Sequence, residues 1–284
     1  MKTIKDMIEV NVEQAKFYDA IQAAECLKGH GGYAENRRAN LLTRIWARLR
    51  YSQQAAAKKA GIEKQVMAAH GRWLVPKAGG SFLEVGSFSG SPFTFRLATI
   101  AGTYLGVDLS PAAIEALNQR LTSRGLAHKA SGQAVDFLSM ESDRKFDVIY
   151  AYGVLHHFEV PGALFAKLAS MLNPDGMLVF TEPSAHNPGF ALVRACFRPF
   201  QADADWEWPF TRGTVEALET HFTVRDGFGW GRWSLPLSVF VGLPVLGTFL
   251  TSLYVRLTRR EVGRGWYGRV WHNSTVTAIC RVRA

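Results

Sequence analysis

The sequence predicts an α/β fold in which a mostly parallel sheet carries helices on both faces. From Pro76 onward, short apolar runs alternate with segments that favour helix, and this alternation is typical of parallel sheets. The chain has 284 residues, of which 48% are hydrophobic and 20% charged, as expected of an ordinary globular protein. That length is sufficient for one large domain with a substantial core.

Strands and helices are predicted in alternating order along this part of the chain. Runs that are apolar or rich in β-branched residues are predicted as strands at 82–85, 104–107, 146–151, 177–181, 222–228 and 274–282. The segments between the first four strands are predicted as helices at 92–101, 111–124 and 161–172. Pro111 and Pro161 fall in a first helical turn, which tolerates proline, and Ser110 is a suitable N-cap.

The first 77 residues are predicted to be mainly helical. Residues 40–60 contain no glycine or proline, and apolar side chains recur there at helical spacing between arginines. One interpretation is an amphipathic helix packed on the domain, and the other is a basic surface that contacts anionic lipid or closes over a substrate. The glycine-rich stretch 29–32 predicts a loop. We therefore expect a helical extension or lid, a sheet core, an apolar and basic insert, and a final strand: 1–77, 78–230, 231–272 and 273–284.

The chain is basic, with 33 Lys and Arg against 24 Asp and Glu and a formal net charge of +9. Such a charge suits nucleic acid, an anionic membrane surface or an acidic substrate. Cys26, Cys196 and Cys280 lie far apart and form no CxxC pair, so the sequence predicts neither a metal site nor a disulfide framework. A reducing, cytoplasmic compartment is expected.

The first predicted strand of the sheet ends in a glycine-rich turn, Gly86-Ser87-Phe88-Ser89-Gly90. A turn of this kind between a strand and a helix lets a ligand approach the backbone closely. Glu84, at the end of the strand, would repel a pyrophosphate but attract an ammonium group. This charge argues against NAD and favours a nucleoside that carries an amino acid, with Glu84, Gly86, Ser87 and Gly90 as its contacts.

Two further acids follow later strand positions. Asp108, with Leu109 beside it, ends the second strand, where a carboxylate can accept hydrogen bonds from ribose hydroxyls. Asp136 precedes Phe137 in a loop, where the acid can accept from an exocyclic adenine amine while the aromatic neighbour packs against the ring. The three acids in this order predict the nucleoside site more strongly than the glycine-rich turn alone.

On these motifs, together with Phe146-Asp147-Val148-Ile149 leading to Leu155-His156-His157-Phe158, the sequence resembles the class I S-adenosylmethionine-dependent methyltransferases. It looks most like the small-molecule branch that includes the quinone-biosynthesis enzymes, over about residues 80–185. The resemblance implies S-adenosyl-L-methionine as cofactor and a Rossmann-like, doubly wound sheet of seven strands with an antiparallel last strand. Phe88 departs from the family pattern, which has glycine at that position.

The residues after the fourth and fifth strands are the candidates for catalysis. Tyr152 and Gly153 should line the methionine moiety of the cofactor. His157 is favoured as the base that removes a proton from the acceptor or as a residue that orients the acceptor, while His156 could contact the cofactor or pack in the interior. Glu182 could bind an acceptor hydroxyl, hold His157, or accept backbone amides as a buried acid. His186 is a further candidate, and aromatic residues that would suit an apolar acceptor follow at Trp206, Trp208 and Phe210.

The expected activity is methylation of oxygen or carbon on a hydrophobic small molecule or a lipid-linked acceptor. A nucleic-acid methyltransferase is the alternative that the charge suggests. It is disfavoured because enzymes that methylate base amines carry an Asn/Asp-Pro-Pro-aromatic motif where this chain has Ala151-Tyr152-Gly153-Val154. A scaffold that binds the cofactor without catalysis is the third hypothesis.

An uncharged run from Trp233 to Val255 separates the last two predicted strands. If those strands pair, the chain must leave and return on one side of a membrane, so a single crossing is excluded. We therefore expect residues 233–269, with their flanking arginines, to lie peripherally on an anionic membrane surface at the inner face. A lid over an apolar substrate and a contact between subunits are the two alternatives.

Overall fold

A computed structural model describes residues 4–28, 54–200, 204–234, 237, 247–263 and 270–283. Its centre is a seven-stranded sheet with the strand order β3-β2-β1-β4-β5-β7-β6. The strands are β1 Ser81–Val85, β2 Thr103–Asp108, β3 Ala130–Ala134, β4 Phe146–Tyr152, β5 Leu172–Pro183, β6 Phe222–Trp230 and β7 Thr275–Val282. Strands β1 to β5 pair in parallel, and β7 runs antiparallel to both β5 and β6.

Helices precede, connect and follow these strands. They are α1 Ile4–Lys28, α2 Ile62–Leu74, α3 Pro92–Ile100, α4 Pro111–Ser123, α5 Pro161–Ser170, α6 Pro188–Phe197, α7 Arg212–His221 and α8 Gly247–Val262. Residues 54–60 are helical as well. As predicted, proline occupies the first turn of α4 and α5, and the Ser110 side chain caps α4 by accepting from Ala113 N (3.1 Å).

The sheet separates two hydrophobic cores. On one face, side chains of α2, α3 and α4 pack on alternate strand residues that include Phe82, Tyr104 and Tyr150. On the other face, α5 and α7 pack on the intervening residues, among them Leu83, Ile149 and Phe180. Because successive strand residues point to opposite faces, strands buried on both sides appear in the sequence as continuous apolar runs.

The predicted fold class is confirmed, including the antiparallel last strand. The predicted strands match the observed ones within a few residues, and the predicted helix 161–172 ends slightly earlier because Leu172 opens β5. The strand β3, with the sequence Ala-Ser-Gly-Gln-Ala, lacks the apolar pattern of its neighbours and was not among the predicted runs. The predicted loop 29–32 and most of the predicted helix 40–60 lie outside the described residues.

The insert between β6 and β7 leaves and returns at the same edge of the sheet. The two strands pair from Phe222 with Val282 to Trp230 with Thr275. The carboxylate of Glu261 in α8 ties the two ends of the insert together, because it accepts from Gly231 N (2.8 Å) and Ser234 Oγ (2.9 Å). Residues 235–236, 238–246 and 264–269, which hold much of the predicted membrane segment, lie outside the described part.

No helix among the described residues combines the length and apolar character required to cross a bilayer.

Candidate functional site

The sequence-predicted residues gather where β1, β2, β4 and β5 end. Parallel strands in register bring their carboxyl ends to one edge of a sheet, which is where α/β folds bind ligands. Val85 of β1 pairs with Val107 of β2 on one side and with Ala151 of β4 on the other. The loops that follow these three strands are therefore neighbours.

The turn after β1 is held against β2 by its backbone. Gly86 N and Ser87 N both donate to the carbonyl oxygen of Val107, at 2.8 and 3.1 Å. Gly86 has a φ of 71°, and a Cβ atom at this position would lie 2.4 Å from Cγ2 of Val154 in the loop after β4. The glycine is therefore required both by the backbone conformation and by the close approach of the second loop.

Phe88 occupies the position where the family pattern has its middle glycine, and it adopts a left-handed backbone with a φ of 45°. Its N–H donates to Asp108 Oδ2 at 2.9 Å, which joins the turn to the end of β2. A left-handed conformation costs a residue with a side chain about 1–2 kcal/mol. The turn thus keeps a glycine-like conformation without the glycine.

Glu84 is buried beneath the turn, and protein donors reach both of its carboxylate oxygens. Thr94 Oγ1 donates to Oε1 (2.9 Å) and the Tyr104 hydroxyl donates to Oε2 (2.7 Å). Burial raises the pKa of Glu84 to about 7, although both hydrogen bonds act in the opposite direction. The side chain is fixed by the neighbouring strand and helix, and its charge depends on pH near neutrality.

Asp108 lies at the end of β2, as predicted for the acid that would hold the ribose. Its Oδ1 accepts from Ser110 N (3.0 Å), and its Oδ2 accepts from Phe88 N. Burial raises the pKa of Asp108, while the backbone donors lower it. Leu109 follows directly and is partly exposed at the same edge. Each carboxylate oxygen has a second lone pair, so the group retains acceptor capacity for hydroxyls.

Asp136 follows β3 and faces the first helix of the chain. Its Oδ1 accepts from Leu138 N (3.0 Å), and its Oδ2 accepts from Asn11 Nδ2 of α1 (2.9 Å). Phe137 is buried in the core, where its ring lies edge-on to Phe158 with 6.1 Å between ring centroids. The predicted adenine acid therefore stands at the site edge, whereas Phe137 is part of the packed interior.

The polar groups along this edge suit a nucleoside that carries an amino acid. Among the described residues, Ser87 Oγ is one of the few buried side-chain oxygens that lack a hydrogen-bond partner, and it lies in the turn itself. This hydroxyl points beneath the turn, where a Cβ atom at Gly106 of β2 would lie 2.7 Å from it. Asp108 at the end of β2 and Asp136 just after the neighbouring strand β3 add carboxylate acceptors. The residues present fit the cofactor that the sequence resemblance implies.

His156 is held in the interior by Glu182. The His156 Nδ1–H donates to Glu182 Oε2 (2.7 Å), and Glu182 Oε1 accepts from the backbone N–H groups of Val154 (2.9 Å) and Leu155 (2.8 Å). Burial lowers the pKa of His156, so its imidazole is neutral near pH 7. Of the three roles considered for Glu182, the structure supports the buried acid that accepts backbone amides, and the imidazole that it holds is that of His156.

His157 is directed by different partners. Its Nδ1–H donates to the carbonyl oxygen of Trp206 (2.7 Å), and its Nε2 lies 3.3 Å from the Tyr18 hydroxyl of α1. The two imidazoles stack with 4.1 Å between ring centroids. A short 3₁₀ turn, Leu155–His157, thus directs one histidine inward and the other towards α1.

The remaining candidates take several positions. Tyr152 is 44% exposed at the end of β4, and Gly153 N donates to the Thr181 carbonyl (2.8 Å). Of the predicted aromatic walls, Phe210 is fully buried core, Trp206 contacts the Phe17 ring of α1, and Trp208 N donates to the carbonyl oxygen of His156 (2.7 Å). The ring of His186 packs edge-on against that of His272, at 4.9 Å between centroids.

Helix α1 contributes three side chains that were not identified from the sequence. Asn11 contacts Asp136, Tyr18 contacts His157, and Asp19 accepts from the Ser110 hydroxyl and from Ala112 N at the start of α4. A signal was present in the sequence. Polar and aromatic residues recur at helical spacing at Asn11, Gln14, Tyr18 and Gln22.

Within the described ranges, no group of three or more His, Cys, Asp or Glu side chains is placed to hold a metal ion.

The central part of the chain is similar to known methyltransferases. Residues 83–178 match the family model described as a methyltransferase domain. Two curated relatives are 26% identical to this chain over 116 residues, which are 41% of the chain and 48% of each relative. Both are ubiquinone biosynthesis O-methyltransferases, from Xanthomonas euvesicatoria pv. vesicatoria (strain 85-10) and Xanthomonas axonopodis pv. citri (strain 306). The chain spans about half the length of the curated relatives it matches.

Similar solved structures support the same fold. The N-methyltransferase NodS from Bradyrhizobium japonicum WM9 aligns with a TM-score of 0.50 at 18% identity, over 78% of this chain and 97% of NodS. An S-adenosylmethionine-dependent methyltransferase from Clostridium acetobutylicum ATCC 824 aligns with a TM-score of 0.52 at 12% identity, over 78% of this chain and 92% of that one. At such identities the likeness concerns the fold.

Proposed function

We propose that this chain is an S-adenosyl-L-methionine-dependent methyltransferase that acts on a hydrophobic small molecule, since residues 83–178 match the model of a methyltransferase domain. The observation that carries the proposal is the arrangement at the sheet edge. Asp108 at the end of β2 and Asp136 after β3 stand beside the glycine-rich turn, where the ribose and the adenine of an amino-acid-bearing nucleoside would need acceptors. The bound cofactor supplies a methyl group that is already activated for displacement.

The chain's own residues would bind and orient the cofactor. Asp108, fixed by two backbone N–H donors, presents acceptor lone pairs to the ribose hydroxyls. Asp136 presents acceptors to the adenine amine. Glu84 lies below this turn as a buried acid that can balance the ammonium group. Positioning and exclusion of water are the main contributions required for methyl transfer.

His157 is the residue that we assign to proton removal from an acceptor hydroxyl. Because its Nδ1–H is committed to the Trp206 carbonyl, the neutral ring presents an unprotonated Nε2. That nitrogen faces α1 near Phe88 of the cofactor turn, since Tyr18 contacts both residues. His156 has the supporting role, because its ring is buried against Glu182.

An aromatic cluster beside His157 favours an apolar acceptor. Phe17 and Tyr18 of α1, Phe88 of the cofactor turn and Trp206 form a chain of edge-to-face contacts with centroid distances of 5.1–6.1 Å. Such walls bind flat, apolar groups, and the nearby imidazole adds one polar function. A hydroxyl or an acidic carbon on a hydrophobic molecule fits this surface.

The proposal is tested by calorimetric titration with S-adenosyl-L-methionine, followed by incubation with extracted lipids and small metabolites and an isotopically labelled methyl donor. Mass spectrometry then identifies whatever gains the label. Asp108→Ala should weaken cofactor binding by about 1.5–3 kcal/mol, the cost of losing a charge-assisted partner. The exposed Asp143→Ala is the matched control and should bind as the wild type does. Absence of cofactor binding in the wild type would contradict the proposal.

We also propose that the insert between β6 and β7 contacts an anionic membrane surface, from which a lipid-soluble acceptor would reach the site. Trp233, which begins the uncharged run, is 59% exposed, and Phe249, within the run, is 69% exposed. The outward face of α8 carries the exposed Arg256 and Arg260, which suit anionic headgroups. Exposed aromatic residues beside basic ones are typical of helices that lie in a membrane interface.

Co-flotation with liposomes of anionic phospholipid tests this placement. The wild type should float, and a variant with Leu243, Val245 and Leu246 changed to Ser should remain with the soluble fraction. A matched change of three exposed residues on α7, Arg212, Glu216 and Glu219 to Ser, should leave flotation intact. Equal flotation of the wild type and the insert variant would contradict the membrane role and favour a lid over the substrate.

A further inference from the structure

Helix α1 turns a polar and aromatic face towards the protein. Gln14 and Gln22 are each only 4% exposed, while Val12 on the opposite face is 48% exposed. A surface helix that packs on a hydrophobic core normally buries its apolar side chains and exposes its polar ones. Glu13 and Lys16 on the outer face are exposed as usual, and the buried glutamines indicate that the inner face of α1 meets polar groups of the site.

Two polar contacts fix α1 in position on the cofactor side. Asn11 donates to Asp136 after β3, and Asp19 accepts from the Ser110 hydroxyl and from Ala112 N (3.2 Å) at the start of α4. A carboxylate at a helix N-terminus is stabilised by the free N–H groups and the helix dipole. These anchors lie about two helical turns apart, so the residues between them have a defined register over the site.

Tyr18 lies within this register and meets His157 from the side opposite Trp206. The Trp206 carbonyl accepts from Nδ1–H of His157, so in the neutral ring the second nitrogen, Nε2, is an acceptor. The Tyr18 hydroxyl, 3.3 Å from Nε2, is then the donor of that hydrogen bond. The Tyr18 ring also lies edge-on to Phe88 of the cofactor turn, at 6.1 Å between centroids.

From this geometry we propose that Tyr18 is a positioning residue of the acceptor site, which orients His157 through its hydroxyl. The inference rests on the proposed methyltransferase function. With one partner on each ring nitrogen, the imidazole has a fixed tautomer and a fixed plane. Because Nε2 of the neutral ring has one lone pair, the arriving acceptor hydroxyl takes the place of the Tyr18 hydroxyl there. It then donates its proton to a ring whose tautomer and plane are already fixed, so Tyr18 acts on the reaction through His157.

The test compares Tyr18→Phe, which removes the hydroxyl and keeps the ring, with Lys16→Ala on the exposed face of the same helix. Lys16 pairs only with nearby Glu13 at the surface among the contacts described, at 2.9 Å. Tyr18→Phe should lower kcat roughly 5- to 10-fold, as expected for one lost hydrogen bond, and leave the dissociation constant of S-adenosyl-L-methionine within about twofold. Lys16→Ala should leave both quantities at the wild-type values.

A spectroscopic measurement separates the positioning role from a general loss of structure. In ¹⁵N spectra of the full-length protein, the Nε2 resonance of His157 should move towards that of an imidazole nitrogen without a donor when Tyr18 becomes Phe. The Nδ1 resonance should keep its protonated signature, because the Trp206 carbonyl remains. An unchanged Nε2 resonance, or a kcat equal to that of the wild type, would overturn the proposal.

Failure of the positioning role of Tyr18 and failure of the proposed methyltransferase function give different experimental results. If the wild type binds the cofactor and transfers methyl groups while Tyr18→Phe is indistinguishable from it, the positioning role is wrong and the proposed function stands. If the wild type transfers no methyl group but Tyr18→Phe shifts the Nε2 resonance, the contact is real and the proposed function is wrong. A fall in cofactor affinity larger than the fall in kcat would assign Tyr18 to cofactor binding and overturn the positioning role.

Discussion

The cofactor side and the acceptor side of the site are built differently. On the cofactor side, Glu84 lies in β1 and Asp108 ends β2. Asp136 lies two residues after the end of β3. Their positions follow from the register of the parallel sheet. On the acceptor side, Tyr18 comes from a helix, while His157 and Trp206 come from two short 3₁₀ turns that are distant from it and from each other in sequence. The sheet determines one half, and contacts between separate segments determine the other.

Substitutions should therefore affect the cofactor side and the acceptor side differently. A change on the cofactor side removes one contact from a frame that the sheet keeps in place. A change on the acceptor side can release a whole segment, because single side chains hold the segments together. Glu182 is the strongest example, since it holds both the turn after β4 and the ring of His156.

The largest effect is expected for Glu182→Ala on the acceptor side. The substitution leaves the His156 ring and two backbone N–H groups buried without their acceptor, so the free energy of unfolding should fall by about 3–5 kcal/mol. Urea denaturation followed by fluorescence measures the change. Glu216→Ala, an exposed acid of α7 that pairs with Arg212, is the control and should cost below about 1 kcal/mol. Equal losses of unfolding free energy in the two variants would contradict the role of Glu182 in holding the turn after β4.

His157→Ala tests whether a change on the acceptor side lowers turnover without affecting cofactor binding. If His157 removes the acceptor proton, kcat should fall on the order of 100-fold while cofactor affinity is retained, because the cofactor side is held by the sheet. Steady-state kinetics and calorimetry measure the two quantities. His128→Ala, at the surface, is the control and should match the wild type. A larger loss in His156→Ala than in His157→Ala would reverse the assignment within the pair.

Glu84→Gln tests the cofactor side through pH. The pKa of Glu84 is raised to about 7 in the fold from an ordinary value of 4.5, so the native state binds the proton more tightly than the unfolded chain. Stability should therefore fall as the pH rises from about 4.5 through 7, and this group contributes about 3 kcal/mol to the fall. Urea denaturation at several pH values should show a flatter dependence for Glu84→Gln. Parallel curves for the two proteins would contradict the raised pKa.

The smallest effect is expected at the turn between the two halves. Phe88→Gly and Phe88→Ala both remove the ring that contacts Tyr18, but only glycine relieves the left-handed backbone at φ 45°. The glycine variant should therefore be more stable than the alanine variant by about 1 kcal/mol. Thermal denaturation of the two variants under identical conditions measures the difference. An alanine variant as stable as the glycine variant would show that the turn relaxes without cost.

The sequence was sufficient for the sheet and the cofactor side, because apolar runs mark buried strands and parallel strand ends gather at one edge. It was insufficient for β3, whose small and polar residues become a strand only through pairing with β2. It also could not assign the two histidines, because the turn Leu155–His157 decides which ring points inward. The contacts of Asn11 and Tyr18 could not be predicted, because polar residues on a helix usually face solvent. Only the folded chain places α1 over the site.

The carboxylate of Glu261 has a consequence for how such a protein can diversify. Because it binds the turn 231–234 to the end of α8, the chain between these points leaves the sheet and returns to it at one place. Helix α8 is not a freely exchangeable part of this segment, because Val262 packs with Ile62 and Val66 and with Phe228 of β6. Changes of length or composition are therefore expected to be tolerated between Ser234 and α8 rather than within α8 itself. The same stretch is the place at which a reporter domain would be grafted.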